Sequence, residues 1–163
     1  YGKGLKAEDD GIDASVQETK VESYSAEVGA KIEVFIANYI TEPSYIHSFS
    51  FASTVAKSRS GDCTEYAVLS AALARALAIP ARVVVGTIIV DDGSTVEAIG
   101  HAWNEFWFDG RWWRIDAAMY GAESAKTFYL PSHILKNEGP GYALSLSKAV
   151  LNSPESITVV QKK

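Results

Sequence analysis

Three residues of this chain have the types and spacing needed for acyl-transfer chemistry. Cys63 is the single cysteine and sits in Gly61-Asp62-Cys63-Thr64-Glu65-Tyr66, where a helix is predicted to start. His101 comes 38 residues later in Gly100-His101-Ala102-Trp103-Asn104-Glu105, and Asp116 a further 15 residues on in Trp112-Trp113-Arg114-Ile115-Asp116. A thiol, an imidazole and a carboxylate would serve as nucleophile, base and orienting acid. In the first turn of a helix Cys63 would meet a partial positive charge that favours thiolate over thiol, and a nearby imidazolium would add to this. His101 would take the thiol proton and later protonate the leaving group. Asp116 would fix the imidazole tautomer and stabilise its charged form. The Cys63 N–H, at the open helix end, could donate to an oxyanion.

The elements around these residues must then bring them together. The apolar residues Val28, Ile32, Phe35, Ile36 and Tyr39 recur at helical spacing between about 25 and 40, and Pro43 marks the stop. A second helical segment is expected at roughly 48–57. The clearest helix runs from Asp62 to about Ala78. Asp62 is a good N-cap with Glu65 three residues on, Leu69, Leu73 and Leu77 line an apolar face, and Pro80 ends it. Residues 82–90 are continuous and β-branched, the pattern of a buried strand, and 91–94 read as a turn. Residues 101–108 and 111–117 read as two strands around Asp109-Gly110, and a short last strand is expected at 157–160. Helices first and an antiparallel sheet second predict an α+β domain.

The hairpin supplies a geometric test. A two-residue turn at Asp109-Gly110 pairs Phe108 with Arg111, and alternation then places His101, Trp103, Glu105, Trp107, Trp112, Arg114 and Asp116 on one face. His101 and Asp116 become diagonal neighbours within hydrogen-bonding reach, and Glu105 faces Arg114 as an expected ion pair. Phe106, Phe108, Trp113, Ile115 and Ala117 read as core on the other face. A slip of one residue would separate His101 from Asp116, so the turn length carries the inference.

Composition narrows the alternatives. The chain has 163 residues, 47% of them hydrophobic and 21% charged, as in a soluble domain with a real core. A net charge of −5 argues against a nucleic-acid partner. No stretch approaches the roughly 20 apolar residues of a membrane span. Residues 1–22 are polar and read as a tail or linker, with 23–163 as the folded domain. The chain starts at Tyr1 and its one methionine is Met119, so the expectation is a trimmed or excised piece, with a larger multidomain parent in view. No cofactor is expected, and no metal, because one Cys and three scattered His lack ligand spacing. His47 and His133 are given no role, and Tyr66 reads as core. A lone cysteine is most often a small buried hydrophobe. The capping aspartate before Cys63 and the shared face of His101 and Asp116 weigh against that reading here. Trp103, beside His101, is expected to shield the His–Asp pair from water, and with Asp62 it completes the candidate cleft.

These residues resemble the transglutaminase-like superfamily, which shares the papain-like cysteine protease fold. Three blocks carry the likeness: Gly61-Asp62-Cys63-Thr64-Glu65-Tyr66-Ala67 running to Ile79-Pro80-Ala81-Arg82, then Gly100-His101-Ala102-Trp103-Asn104-Glu105-Phe106, then Gly110-Arg111-Trp112-Trp113-Arg114-Ile115-Asp116. The resemblance implies Cys63 as nucleophile, His101 as general base and acid, and Asp116 as the orienting acid. Ala78 stands where glycine is common before Ile-Pro, and Ala117-Ala118 where Pro-Thr is usual. No counterpart of the animal enzymes' calcium sites is visible. The resemblance implies a peptide or protein substrate attacked at an amide bond, with hydrolysis preferred for a compact microbial-type member. It also implies, for many such members, an extracytoplasmic or membrane-anchored parent. The alternatives are a protein-glutamine crosslinker using the same three residues, and a non-catalytic binding domain whose aromatic-rich hairpin holds a polymer or partner.

Overall fold

The computed structural model of the chain describes residues 26–44, 50–122 and 126–135. Helix α1 (Ala26–Tyr39) is followed by β1 (Glu42–Pro43), α2 (Ala52–Ser58), β2 (Ser60–Gly61) and α3 (Cys63–Ala76). Then come β3 (Ala81–Asp91), β4 (Val96–Phe108), β5 (Arg111–Ile115) and β6 (Lys126–Leu135). The last four strands form one antiparallel sheet in the order β5-β4-β3-β6, while β1 and β2 pair in parallel. The architecture is the α+β arrangement of helices on an antiparallel sheet that the sequence predicts. Among the described residues no helix is long and apolar enough to cross a membrane.

Helix α3 starts where its capping signals place it. The Asp62 carboxylate accepts from the Thr64 N–H at 2.9 Å, and Glu65 Oε2 accepts from the Asp62 N–H at 3.2 Å, a complete capping box. Glu65 is fully buried, yet its other oxygen accepts from the Ser50 N–H at 2.9 Å, so the carboxylate is satisfied and ties the helix start to the segment before α2. A Cβ at Gly61 would lie 2.2 Å from Glu65 Cβ, so only glycine lets the chain enter the helix along this path. The helix ends at Ala76 in a Schellman arrangement. Ile79 N–H donates to Ala74 O at 2.9 Å and Ala78 N–H to Arg75 O at 3.0 Å, with Ala78 in the left-handed region at φ 59°.

Helix α3 is sandwiched. Its alanines Ala67 and Ala71 lie on Val83, Val85 and Ala102 of the sheet, and small side chains there allow close approach. On its other flank Leu69 joins Ile32 and Ile36 of α1 and Phe106, Phe108 and Ile115 of the hairpin. Burying Phe106 and Phe108 stabilises the fold by about 2 kcal/mol each. Val84, Ile88 and Trp103 form a separate cluster on the opposite sheet face.

The hairpin has the expected register. Asp109 (φ 52°) and Gly110 (φ 77°) make a two-residue turn with both residues left-handed, and pairing runs from Phe108–Arg111 to Asn104–Ile115. Several boundaries differ. Strand β4 begins at Val96 rather than 101, because Val96–Gly100 also pair with β3. Strand β5 ends at Ile115, so Asp116 leaves the ladder and opens a turn. Helix α2 spans Ala52–Ser58 rather than roughly 48–57. Strand β6 is an element the sequence reading lacks, and the expected strand at 157–160 and the polar segment 1–22 lie outside the described residues. The expected Glu105–Arg114 ion pair is also corrected. Glu105 bonds Arg82 across the β3–β4 pairing at 2.7 Å, and the Arg114 guanidinium instead lies 4.0 Å over the Tyr129 ring.

Candidate active site

Cys63 is the first residue of α3, half-buried, on a cleft of about 520 Å³. Pro43 of β1, Tyr66 of α3, Ile88 of β3, Ile99 and His101 of β4, and Met119 of the turn after β5 help wall this cleft. Asp62 lines it as well, its carboxylate turned to the helix start. The Thr64 hydroxyl lies 2.8 Å from Asp62 Oδ1 and 2.9 Å from Glu65 Oε2, donating to one at a time.

His101 and Asp116 meet. Nε2 of His101 is 2.8 Å from Asp116 Oδ2, and each residue is only 5% exposed. The pairing follows from the hairpin register and from the chain leaving β5 at Asp116. Burial alone would push the imidazolium toward deprotonation. The hydrogen bond to Asp116, that to Cys63, and the negative charge of both outweigh it, and the His101 pKa rises to about 9. The ring is therefore cationic at neutral pH. With Nε2 engaged by Asp116, Nδ1 is the nitrogen left for Cys63.

The Asp116 carboxylate is held on every side. Tyr129 of β6 donates its hydroxyl to the same Oδ2 at 2.7 Å, and the Met119 N–H donates to Oδ1 at 3.3 Å. The Asp116 backbone N–H donates to Glu33 Oε1 of α1 at 2.8 Å. Burial, then the negative charge of Asp116, push the Tyr129 hydroxyl well above the usual phenol range, so it stays a donor. Trp103 is 2% exposed and lies behind His101 rather than on the cleft wall, with the two rings 18° apart and 6.3 Å between centroids. Tyr66 is half-buried beside Cys63, its hydroxyl donating to Ile40 O at 3.4 Å, and burial raises its pKa.

The structure thus places Cys63, Asp62 and His101 on one cleft, with Asp116 bonded to His101 behind it and Trp103 beneath. Sequence reasoning missed Tyr129, Glu33 and the task of Asn104. Asn104 is buried on the helix-facing side of β4, and its side-chain amide donates to Ala67 O at 2.9 Å, pinning α3 to the strand that carries His101. Its place in the Gly100–Glu105 block was the available signal. Tyr129 and Glu33 gave none, because they reach Asp116 from elements far away in sequence.

A family model described as the transglutaminase-like superfamily matches residues 13–117. No curated protein matches the chain. Among solved structures the chain is similar to one described as a "Putative Cysteine Protease" from Cytophaga hutchinsonii, at 23% identity and a TM-score of 0.48. The likeness covers 74% of this chain and 48% of the other, so the chain spans about half the length of that protein.

Proposed function

Because the chain belongs to the transglutaminase-like superfamily, which supports a cysteine-based enzyme at that level, we propose that it cleaves amide bonds in peptides or proteins through Cys63, His101 and Asp116. The observation that carries this reading is the buried 2.8 Å bond to Asp116 made by His101, which lines the same cleft as Cys63. The Cys63 thiolate attacks the amide carbonyl while the cationic His101 stands beside it. The Cys63 N–H, at a helix position with no intrahelical acceptor, donates to the oxygen that becomes negative. Collapse of the tetrahedral adduct breaks the C–N bond, and His101 gives its proton to the departing amine. Asp116 keeps the ring oriented throughout. In the second half-reaction neutral His101 takes a proton from water, hydroxide adds to the thioester, and Cys63 leaves as thiolate. Hydrolysis is the preferred outcome, and the domain that performs it is residues 23–163.

The reading is tested by iodoacetamide alkylation of Cys63 between pH 4 and 9, in wild type and in His101→Ala. Reactivity at pH 6 should be high in wild type and at least about tenfold lower in the variant. Equal rates in both proteins would make Cys63 an inert thiol and remove the enzyme reading. Cys63→Ala should keep the fold and lose all turnover of a peptide substrate. A labelled primary amine included in that assay distinguishes hydrolysis from crosslinking, since only the latter retains the label.

A further inference from the structure

We infer that Tyr129 is a positioning residue of this site, its hydroxyl sharing Asp116 Oδ2 with His101 and thereby limiting how basic the imidazole becomes. The inference rests on the proposed roles of His101 and Asp116 and adds a fourth side chain to them. Two donors converge on one carboxylate oxygen, His101 Nε2 at 2.8 Å and the Tyr129 hydroxyl at 2.7 Å. Each draws electron density from Oδ2, so each weakens that oxygen as an acceptor for the other. A phenol that stays protonated is a permanent partner, whereas the imidazole must gain and lose its proton in every cycle.

The ring of Tyr129 is itself fixed. It meets Trp103 edge to face at 5.1 Å between centroids, and Trp103 stacks on His101. The Arg114 guanidinium lies 4.0 Å over its face, and this positive charge makes the hydroxyl a stronger donor. Tyr129 also stands at a second cavity of about 400 Å³, behind Asp116 and away from Cys63, whose walls include Glu33 and Arg114. Its hydroxyl fills the carboxylate lone pair that water from this side would otherwise reach. The charged and titratable groups around His101 are Cys63 of α3 and its N-cap Asp62, Asp116 after β5 and Tyr129 from β6, with Arg114 and Glu33 one step beyond.

The test is an NMR titration of the His101 ring in the full chain, its signal assigned by its loss in His101→Gln. Tyr129→Phe keeps the ring on Trp103 and removes only the hydroxyl, so the His101 midpoint should rise by about half a pH unit or more. Tyr129→3-fluorotyrosine supplies a more acidic donor and should move the midpoint down. A purely structural tyrosine gives no such pair of opposite shifts. Unchanged midpoints in both variants, or a fall in Tyr129→Phe, overturn the inference. The readout needs no turnover. Opposite shifts with an unreactive Cys63 leave the inference standing and remove the enzyme reading, and a reactive Cys63 with unmoved midpoints does the reverse.

Discussion

At the residue scale, the candidate catalytic groups announce themselves by type, while the residues that hold them do so only through contact. Cys63, His101 and Asp116 were legible because a capping box frames the first, and the alternation counted back from a two-residue turn places the other two on one face. Glu105 shows where such reasoning stops. It faces Arg114 in the hairpin register, but β4 has two neighbours and Arg82 of β3 is the one that reaches its carboxylate. Gly86 lacks any local signal, yet its place is demanding. It pairs with His101 on one side and Pro131 on the other, and a Cβ there would lie 2.2 Å from Leu130 O and 3.0 Å from the Trp103 ring. The near contact is backbone, so the strands would have to separate and Trp103 would shift beneath His101. Gly86→Ala should destabilise by about 1–3 kcal/mol in urea unfolding, with a fall in Cys63 alkylation at pH 6 where the folded state still dominates. A variant as stable and as reactive as wild type would show that β6 adapts freely.

At the element scale, α3 was readable from end to end because both its caps are sequence-local. The structure adds that its C-terminal stop is strained. Ala78 occupies the left-handed position of the Schellman arrangement at φ 59°, is exposed, and replaces the glycine common there in the family it resembles. A left-handed alanine costs about 1–2 kcal/mol, part of which a glycine gives back through greater freedom of the unfolded chain. Ala78→Gly should therefore stabilise by up to about 1 kcal/mol and raise the melting temperature by about 2–4 °C. A lower melting temperature would mean that the unfolded-chain effect dominates. Strand β6 was illegible for an equally physical reason. It is an edge strand with Pro131 inside it and a register shift opposite Val85 and Gly86, so the period-two pattern breaks midway. The strands β1 and β2, two residues each, carry no periodicity at all.

At the scale of the whole molecule, the site is where the elements converge. Helix α3 brings Cys63, β4 brings His101, the end of β5 brings Asp116, α1 adds Glu33 and β6 adds Tyr129. Neither the Glu33 nor the Tyr129 contact can be read from local pattern, since each depends on how the sheet order and helix packing close. This convergence also couples the His101 proton to folding. In the unfolded chain the imidazole titrates near the ordinary value of about 6.5, while in the folded protein Asp116 and Cys63 overcome burial and hold it at about 9. Below about pH 6 both states carry the proton, and the stabilisation from this group is fully present. Between about 6.5 and 9 the unfolded imidazole has released a proton that the folded one keeps, so the contribution of this group falls as pH rises, and a Cys63 that has given its own proton to the pair offsets that fall in the wild type. The stabilisation is lost once the pH passes the folded value. A shift of this size corresponds to roughly 3 kcal/mol. Urea unfolding of Cys63→Ala, which has no thiol proton to offset that of the imidazole, should accordingly show the midpoint falling as pH rises above about 6, and adding His101→Gln should remove most of that slope. A midpoint that falls in Cys63→Ala but stays level in wild type would assign the compensating proton to Cys63, whereas a level midpoint in both proteins would mean that the folded imidazole is not held protonated, and the cationic His101 invoked beside Cys63 would lose its physical basis.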